Sequence, residues 1–469
     1  MKPKNGRCVR LHGSAARALI LVLPLLVAGV FLSSYSSTAS ASAAFARQTG
    51  MNCFACHTRP PSMTAIGKRF FLQGYRTPNV RETLEHGAPG GASGDRLNIT
   101  LGDMQWFRVR STPLIKEQGR PRINPDNENE WYAMPVQRFS WGTAGPIADN
   151  WAVWSEVYYQ PYDDEDDQFA PGGSGRGANS RGDWRQSTVE VDELEFVYGR
   201  ELPGIKPGNY FGFYFSDRGY RKVQNRGGTG IHSTVSGAST DNGGLGFFGF
   251  WNDTNYVNLH LLTGDSVNWD KADVQLNYGW WPRNSQQDDL WMDVLYTYSK
   301  DSGPSIRQSG LFGIDLPNEK DEGWAYDFRT QYIKADWGNH TIDSEWGVGT
   351  IEEKYNVGTP TANTFTGTRT SGGVRYWYKR KWGGELLLSR WLEYENRSDV
   401  TGETIEYNTS TAVSYGFLYQ FAANILMSVE VRESVGNPYL PAELFTDDPA
   451  GFTPPVEYKT YEVKFEFGW

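Results

Sequence analysis

Cysteine is scarce in this chain, with three residues in 469. Cys8 lies in an N-terminal segment that reads as removable, which leaves Cys53 and Cys56 as the thiols of the mature protein. That number excludes a disulfide-stapled scaffold and a zinc site built from two Cys-x-x-Cys pairs. Positive charge is also in deficit. Without the five cations of the N-terminal segment, 40 Lys and Arg face 55 Asp and Glu, a balance of about −15. Nucleic acid is therefore excluded as a partner, and cations or a basic redox protein fit better. Beyond the N-terminal segment no apolar run is long enough for a membrane-spanning helix, and no repeat period argues for a propeller or solenoid.

The first 43 residues read as an export signal. Lys2, Lys4, Arg7, Arg10 and Arg17 form a basic start, Leu19 to Leu32 is apolar apart from Pro24 and Gly29, and Ala39-Ser40-Ala41 and Ala41-Ser42-Ala43 are cleavage boxes. An uncleaved anchor is the alternative. Both place the remainder outside the cytoplasm.

The two remaining thiols sit in Cys53-Phe54-Ala55-Cys56-His57, a Cys-x-x-Cys-His run. That is the attachment pattern of a covalent haem c. Two thiols two residues apart can add to the two vinyl groups on one porphyrin edge, and the adjacent His57 is placed to take one axial position on the iron.

What the chain has in abundance is aromatic residues and glycine: 18 Trp, 26 Tyr, 24 Phe and 52 Gly. Together with alternating hydrophobicity, these suit a transmembrane β-barrel, in which only every second residue faces lipid. The last segment is the clearest: Tyr461, Val463, Phe465, Phe467 and Trp469 share one face, and Glu462, Lys464 and Glu466 the other. Sixteen such runs are predicted, near 97–110, 131–142, 151–160, 189–200, 209–217, 243–252, 255–264, 273–281, 289–300, 323–337, 340–350, 370–381, 384–396, 409–421, 423–433 and 456–469. Their connections alternate. Residues 252–254, 337–339 and 422–424 read as tight turns; 161–188, 218–242, 301–322, 351–369 and 434–455 read as long Gly- and Asp-rich loops. Short periplasmic turns and long outer loops are the habit of bacterial outer-membrane barrels. The fold class expected is thus mainly β, an antiparallel transmembrane barrel of about sixteen strands in the lipids of a bacterial outer membrane, with a small N-terminal α-helical cytochrome c segment. The domains are 1–43 signal, 44–95 monohaem segment and 96–469 barrel.

The segment 44–95 is too short to bury much core alone, and a barrel this wide has room for it as a plug. A helix is predicted from Met63 to Gln73, capped by Ser62 and ended by Gly74, with Met63, Ile66 and Phe70 on one face. From Ala44 to Arg81 there are six basic residues (Arg47, Arg59, Lys68, Arg69, Arg76, Arg81) and no acid. A basic insert suits an acidic barrel, and Arg side chains suit haem propionates; a solvated basic linker is the bland alternative. For the distal iron ligand the residues leave several candidates: Met63 on a short tether, His86 on a long one, Met51 and Met104 nearby, or an open position. His232, His260 and His340 fall in the barrel and read as lumen or interface residues.

Phe45-Ala46-Arg47-Gln48-Thr49-Gly50, the Cys53–His57 run, and then Pro61, Gly67, Phe70, Leu72, Gly74 and Tyr75 resemble the fused outer-membrane cytochrome–porins of iron-oxidising bacteria. The motif covers about thirty residues; the rest is similar in architecture alone. Ala43 and Ala44 stand where that family's pattern has a Pro, and Ile66, Lys68 and Phe71 where it has Phe, Arg and Lys. The resemblance implies an Fe(II)-oxidising cytochrome at the cell surface that hands the electron to a periplasmic cytochrome or cupredoxin. Such a function asks for a haem close to the outer mouth. The run Asp163-Asp164-Glu165-Asp166-Asp167 in an outer loop suits the capture of Fe²⁺ by hard oxygens, or is simply a solvated tip. Two other readings stand beside it: a conduit for another donor or for electron export, and a diffusion porin with a haem plug.

Overall fold

In the computed structural model the described residues are 44–75 (apart from 50, 52, 60 and 61) and 104–468, apart from 119–130, 149, 161–187, 203–208, 217–243, 263–272, 301–319, 356, 361, 407–410, 423–424 and 436–456. Within 44–75 lie three short helices, α1 (Ala44–Thr49), α2 (Cys53–Cys56) and α3 (Ala65–Leu72), and a hairpin of β1 (His57–Arg59) and β2 (Ser62–Met63). Then come β3 (Gln105–Gln118), β4 (Trp131–Ala148), β5 (Trp151–Gln160), β6 (Thr188–Glu201), β7 (Tyr210–Ser216), β8 (Gly244–Trp251), β9 (Asn255–Leu262) and β10 (Asp273–Asn284). The second half is β11 (Asp288–Lys300), β12 (Lys320–Trp337), β13 (His340–Tyr355), β14 (Asn363–Tyr378), β15 (Trp382–Ser398), β16 (Thr404–Glu406), β17 (Thr411–Ala422), β18 (Ile425–Val435) and β19 (Glu457–Gly468). Strands β3 to β19 form a closed antiparallel sheet in which β19 pairs with β3, and β16 is a short flap beside β15. Sixteen strands therefore close the barrel, as the alternation predicts.

Side chains sort by phase. Along β7, Tyr210, Tyr214 and Ser216 are buried inside, while Phe211 and Phe215 are each 48 % exposed outside. On β11, Asp289, Trp291, Asp293 and Leu295 are inside and Val294 is outside; on β10, Gln275 and Asn277 are inside and Leu276, Tyr278 and Trp280 outside. A closed sheet with an apolar outside and a polar inside is a solution for lipid, since every strand edge is paired. No helix among the described residues is long and apolar enough to cross a membrane. The barrel itself is what spans the outer membrane.

Three predicted strand ends are corrected, each beside a proline. The sequence-based strands stop at 110, 142 and 281, but β3, β4 and β10 continue past Pro113, Pro146 and Pro282. Each proline sits at a register shift in the ladder, where its missing N–H costs nothing. The first strand also begins later than predicted, at Gln105. The loop predicted at 351–369 is largely strand, because β13 runs to Tyr355 and β14 starts at Asn363. Conversely, Lys379 to Lys381 is a turn, with Lys379 and Arg380 at φ of 52° and 51°. The expected turn at 252–254 is present; that at 337–339 is narrowed to 338–339, because Trp337 ends β12; of 422–424, Ala422 ends β17 and 423–424 lie outside the described residues.

Candidate haem-attachment site

The Cys-x-x-Cys-His run folds as the single turn α2, so positions 53 and 56 fall on one face of it. His57 leads directly into the hairpin. Helix α3 then doubles back over the run. Its N-cap is Thr64, whose hydroxyl accepts from the Gly67 N–H and donates to the Ala55 carbonyl at 2.5 Å. The Thr64 N–H donates to the Cys56 carbonyl at 2.9 Å. This corrects the predicted cap at Ser62, because Met63 belongs to β2 and not to the helix. Gly67 is where the two backbones meet: a Cβ there would lie 2.2 Å from the Cys56 carbonyl oxygen. At the far end Gly74 and Tyr75 take left-handed φ values of 72° and 63°, and their N–H groups bond back to Phe71 and Phe70.

The whole unit lies inside the barrel, held by inward-facing side chains. Asp343 of β13 accepts the Thr58 hydroxyl at 2.5 Å and the Ser62 hydroxyl at 2.6 Å, so one carboxylate grips both strands of the hairpin that begins at His57. Gln331 of β12 donates to Ser62 at 2.8 Å, and Arg375 of β14 stands 3.7 Å from Asp343. Lys68 of α3 pairs with Asp289 of β11 at 2.5 Å, and the Trp281 indole donates to the other oxygen of that carboxylate. Arg69 pairs with Asp253 at 3.1 Å and lies over the Trp281 ring. Gln286 donates to the Ala55 carbonyl. Opposite these contacts, Phe70, Phe71, Leu72 and Tyr75 join Val197, Phe248 and Phe250 in one buried apolar cluster.

Residues of the Phe-Ala-Arg-Gln-Thr-Gly motif serve the same docking. Phe45 packs on Phe70 (4.7 Å between ring centroids), Tyr75 (5.4 Å) and the barrel residue Trp154 (5.9 Å). The Gln48 side chain donates to the Ala144 carbonyl, beside Gly145, where a Cβ would meet the Gln48 amide. The Tyr75 hydroxyl reaches Glu195 of β6 at 3.2 Å. The barrel partners Asp253, Gln286, Asp289, Asp343, Gln331 and Glu195 carry no local signature, and sequence reasoning missed them; the one available signal, for the four in strands, was their inward phase.

These contacts cluster at one end. Asp253 and Gln286 are in short turns, Asp289 is the second residue of β11, and Asp343 is the fourth of β13. The Cys53–His57 turn therefore sits at the short-turn, periplasmic end of the lumen and away from the outer mouth. The acid run 163–167 lies outside the described residues.

The residues fit a covalent haem in type and order: Cys56 is half-buried next to a half-buried His57, on a turn clasped by α3. Met63 is the cross-strand partner of His57. Paired positions of a hairpin lie side by side, whereas two axial ligands approach from opposite faces of a porphyrin. In this hairpin Met63 lies beside His57, and its side chain packs on the apolar cluster. His86, Arg76 and Arg81 lie outside the described residues. His260 faces the lumen and pairs through Gln275 with Thr297, eight positions along β11 from Asp289, roughly 26 Å of strand. That distance removes it from the site. His340 is on the outer face, bonded to the Tyr376 hydroxyl.

No protein-family model matches the chain, and no curated protein matches its sequence. Solved structures similar to it include OmpT, an outer membrane protein of Vibrio cholerae (11 % identity, TM-score 0.42, covering 78 % of this chain and 96 % of that one). The outer membrane channel DcaP of Acinetobacter baumannii is similar at 12 % identity and TM-score 0.42, with coverage of 78 % and 96 %. Pseudomonas putida OprB is similar at 10 % and 0.44, with coverage of 78 % and 94 %.

Proposed function

We propose that this chain is an outer-membrane cytochrome–porin that oxidises Fe(II) supplied from outside the cell and delivers the electron to a periplasmic cytochrome or cupredoxin. The observation that carries this reading is the docking of the Cys53–His57 turn inside the barrel, at its periplasmic end, by Asp343, Lys68 and Asp289. Haem c, joined to Cys53 and Cys56 with His57 as proximal ligand, would supply a one-electron couple at that position.

The chain's own residues set the conditions around it. Asp343 and the Lys68–Asp289 pair fix the turn against the wall, so its distance from each membrane face is constant. Inward carboxylates further up the lumen, among them Asp293, Asp327 and Glu353, favour cations over anions in the approach from outside. A sixteen-strand barrel encloses an aqueous lumen wide enough for a hydrated divalent ion. The Fe(II) ion is therefore not required to cross the membrane. It gives up one electron within the lumen and leaves outward as Fe(III), and one periplasmic acceptor gains that electron at the short-turn end. No general acid or base is needed.

The test is stopped-flow absorbance of the oxidised, detergent-solubilised holoprotein mixed with Fe(II) at an acidic and a near-neutral pH. Rapid reduction at either pH supports the reading. Reduction by dithionite but not by Fe(II) assigns the conduit to another donor. A second reading, a diffusion porin with a haem plug, draws on the inward charges of both signs, Arg329, Arg369 and Arg375 facing the acids. High single-channel conductance of the full chain, with no reduction by Fe(II), would favour it.

A further inference from the structure

The turn Lys379-Arg380-Lys381, between β14 and β15, stands out on the short-turn rim of an otherwise acidic chain. It is the place where three cations follow one another among the described residues of that rim. Its backbone is held at a cost. Lys379 and Arg380 both occupy the left-handed region that Asn and Gly fill most readily, so the two side chains are kept where the backbone alone favours others.

Their surroundings show which way the charges point. A continuous cross-strand row at this end runs Trp337, His340, Tyr378, Trp382, Tyr419, each residue paired with the next across β12, β13, β14, β15 and β17. Ring centroids along it are 5.8 Å apart for Trp337 and His340, 5.3 Å for His340 and Tyr378, and 4.2 Å for Trp382 and Tyr419. Trp337, Tyr378 and Trp382 are exposed on the outside of the barrel, 60 %, 39 % and 47 % respectively. The Lys379 ammonium lies over the Tyr378 ring at 5.4 Å, and the Lys381 ammonium over the Tyr419 ring at 5.6 Å. Both cations are therefore laid on the outward-facing aromatic row, toward the lipid perimeter.

We propose that Lys379, Arg380 and Lys381, with Tyr378, Trp382 and Tyr419 beneath them, form a binding site for the phosphate headgroup of an anionic phospholipid of the periplasmic leaflet. Amphipathic rings settle at the headgroup level, and ammonium and guanidinium groups just beyond them complement the phosphate. An acidic periplasmic protein offers the same charge. It would be met by cations directed at the lumen mouth, whereas Lys379 and Lys381 are directed along the outer wall. The site rests on the barrel's place in the membrane and is independent of the redox reading.

The experiment compares the delipidated full-length protein with the variant Lys379→Asn, Arg380→Asn, Lys381→Gln. Asn suits the left-handed positions better than Lys or Arg, so the turn itself is preserved. Native mass spectrometry and thermal unfolding are read with phosphatidylglycerol and with phosphatidylcholine of the same acyl chains. Wild type is expected to prefer phosphatidylglycerol, and the variant to bind it more weakly by up to the order of 100-fold with its phosphatidylcholine response unchanged. Equal binding of both lipids by wild type overturns the proposal, as does a variant that keeps the preference. Loss of electron delivery to an acidic acceptor without any change in lipid binding also overturns it, and assigns the turn to a protein partner.

Discussion

Lys68 of helix α3 and Asp289 of strand β11 form an ion pair 2.5 Å long whose two side chains are 0 % and 1 % exposed. It joins the segment carrying the Cys-x-x-Cys-His run to the barrel wall, and it has no solvent to fall back on. Removing one partner leaves the other charged and buried, at about 3–5 kcal/mol. Lys68→Met or Asp289→Leu alone should therefore loosen the lumenal segment by about that amount, seen as faster proteolysis between residues 44 and 103. The double variant should recover most of the loss, limited by the Trp281 indole left without its acceptor. Equal loosening in the single and double variants would mean that the pair is not the anchor.

The neighbouring pair gives the contrast. Arg69 and Asp253 are 32 % and 36 % exposed at 3.1 Å, in reach of water and salt. Arg69→Ala is expected to cost only about 0–1 kcal/mol, plus the stacking of its guanidinium on Trp281. The same proteolysis assay, run at low and high salt, checks this. A loss as large as that of Lys68→Met would sink the distinction between the two pairs.

Gly67 is a close-approach glycine, and its substitution should act on the haem. A Cβ at 67 meets the Cys56 carbonyl oxygen at 2.2 Å, and backbone cannot swing aside as a side chain can. Gly67→Ala must push α3 off the α2 turn, a strain of about 1–3 kcal/mol or more. The expected result is reduced covalent haem per chain, measured as pyridine haemochrome in protein matured with the attachment machinery. Gly384→Ala is the control, because its Cβ meets nothing nearer than the Gly416 oxygen at 3.5 Å. Full haem loading in Gly67→Ala would show that the close packing of α3 is not needed for attachment.

How far the sequence discloses all this depends on the range of the interactions concerned. Period-two alternation is local, so sixteen strands are legible, and β5 is predicted at its observed bounds, 151–160. Strand ends fail at 110, 142 and 281, because only the partner strand shows that the ladder continues through register shifts around Pro113, Pro146 and Pro282. The Lys379–Lys381 turn is hidden for another reason: it lacks the Gly or Asn that ordinarily marks such a turn. At the site, Cys53, Cys56 and His57 are adjacent and therefore readable. Asp343 and Asp289 lie more than 200 residues away, and nothing near them in sequence says that they face Thr58 or Lys68. The helix cap moved from Ser62 to Thr64 for the same cause, since the Ser62 hydroxyl is spent on Asp343.

Asp343 is the second anchor. Its carboxylate accepts two hydroxyls, each such charge-assisted bond contributing about 1.5–3 kcal/mol. Asp343→Ala removes both acceptors and unclamps the hairpin that follows His57; Asp343→Asn retains one acceptor oxygen and should sit between the two. Arg375 keeps Glu385 at 3.1 Å in either variant, so it is not stranded. The readout is the haem absorbance spectrum and midpoint potential, which a loosened proximal His57 shifts and a remote change in barrel stability does not. Asp343→Ala with an unaltered spectrum and potential would place His57 outside its influence.

Met63 offers the sharpest check on the geometry of the site. As the cross-strand partner of His57, it shares that residue's side of the hairpin, and its side chain is spent in the cluster with Phe70 and Tyr75. Met63→Leu preserves its volume and apolar character, so the packing cost should stay below about 1.5 kcal/mol. If Met63 is a packing residue, the variant keeps the wild-type haem spectrum, and the midpoint potential stays where it was. If instead Met63 is the thioether on the distal face, its loss removes the ligand that raises the potential. The potential then falls and the absorption attributable to sulfur–iron charge transfer disappears. In that case the hairpin has to open when haem is attached, and the bonds from Thr58 and Ser62 to Asp343 are the ones that break.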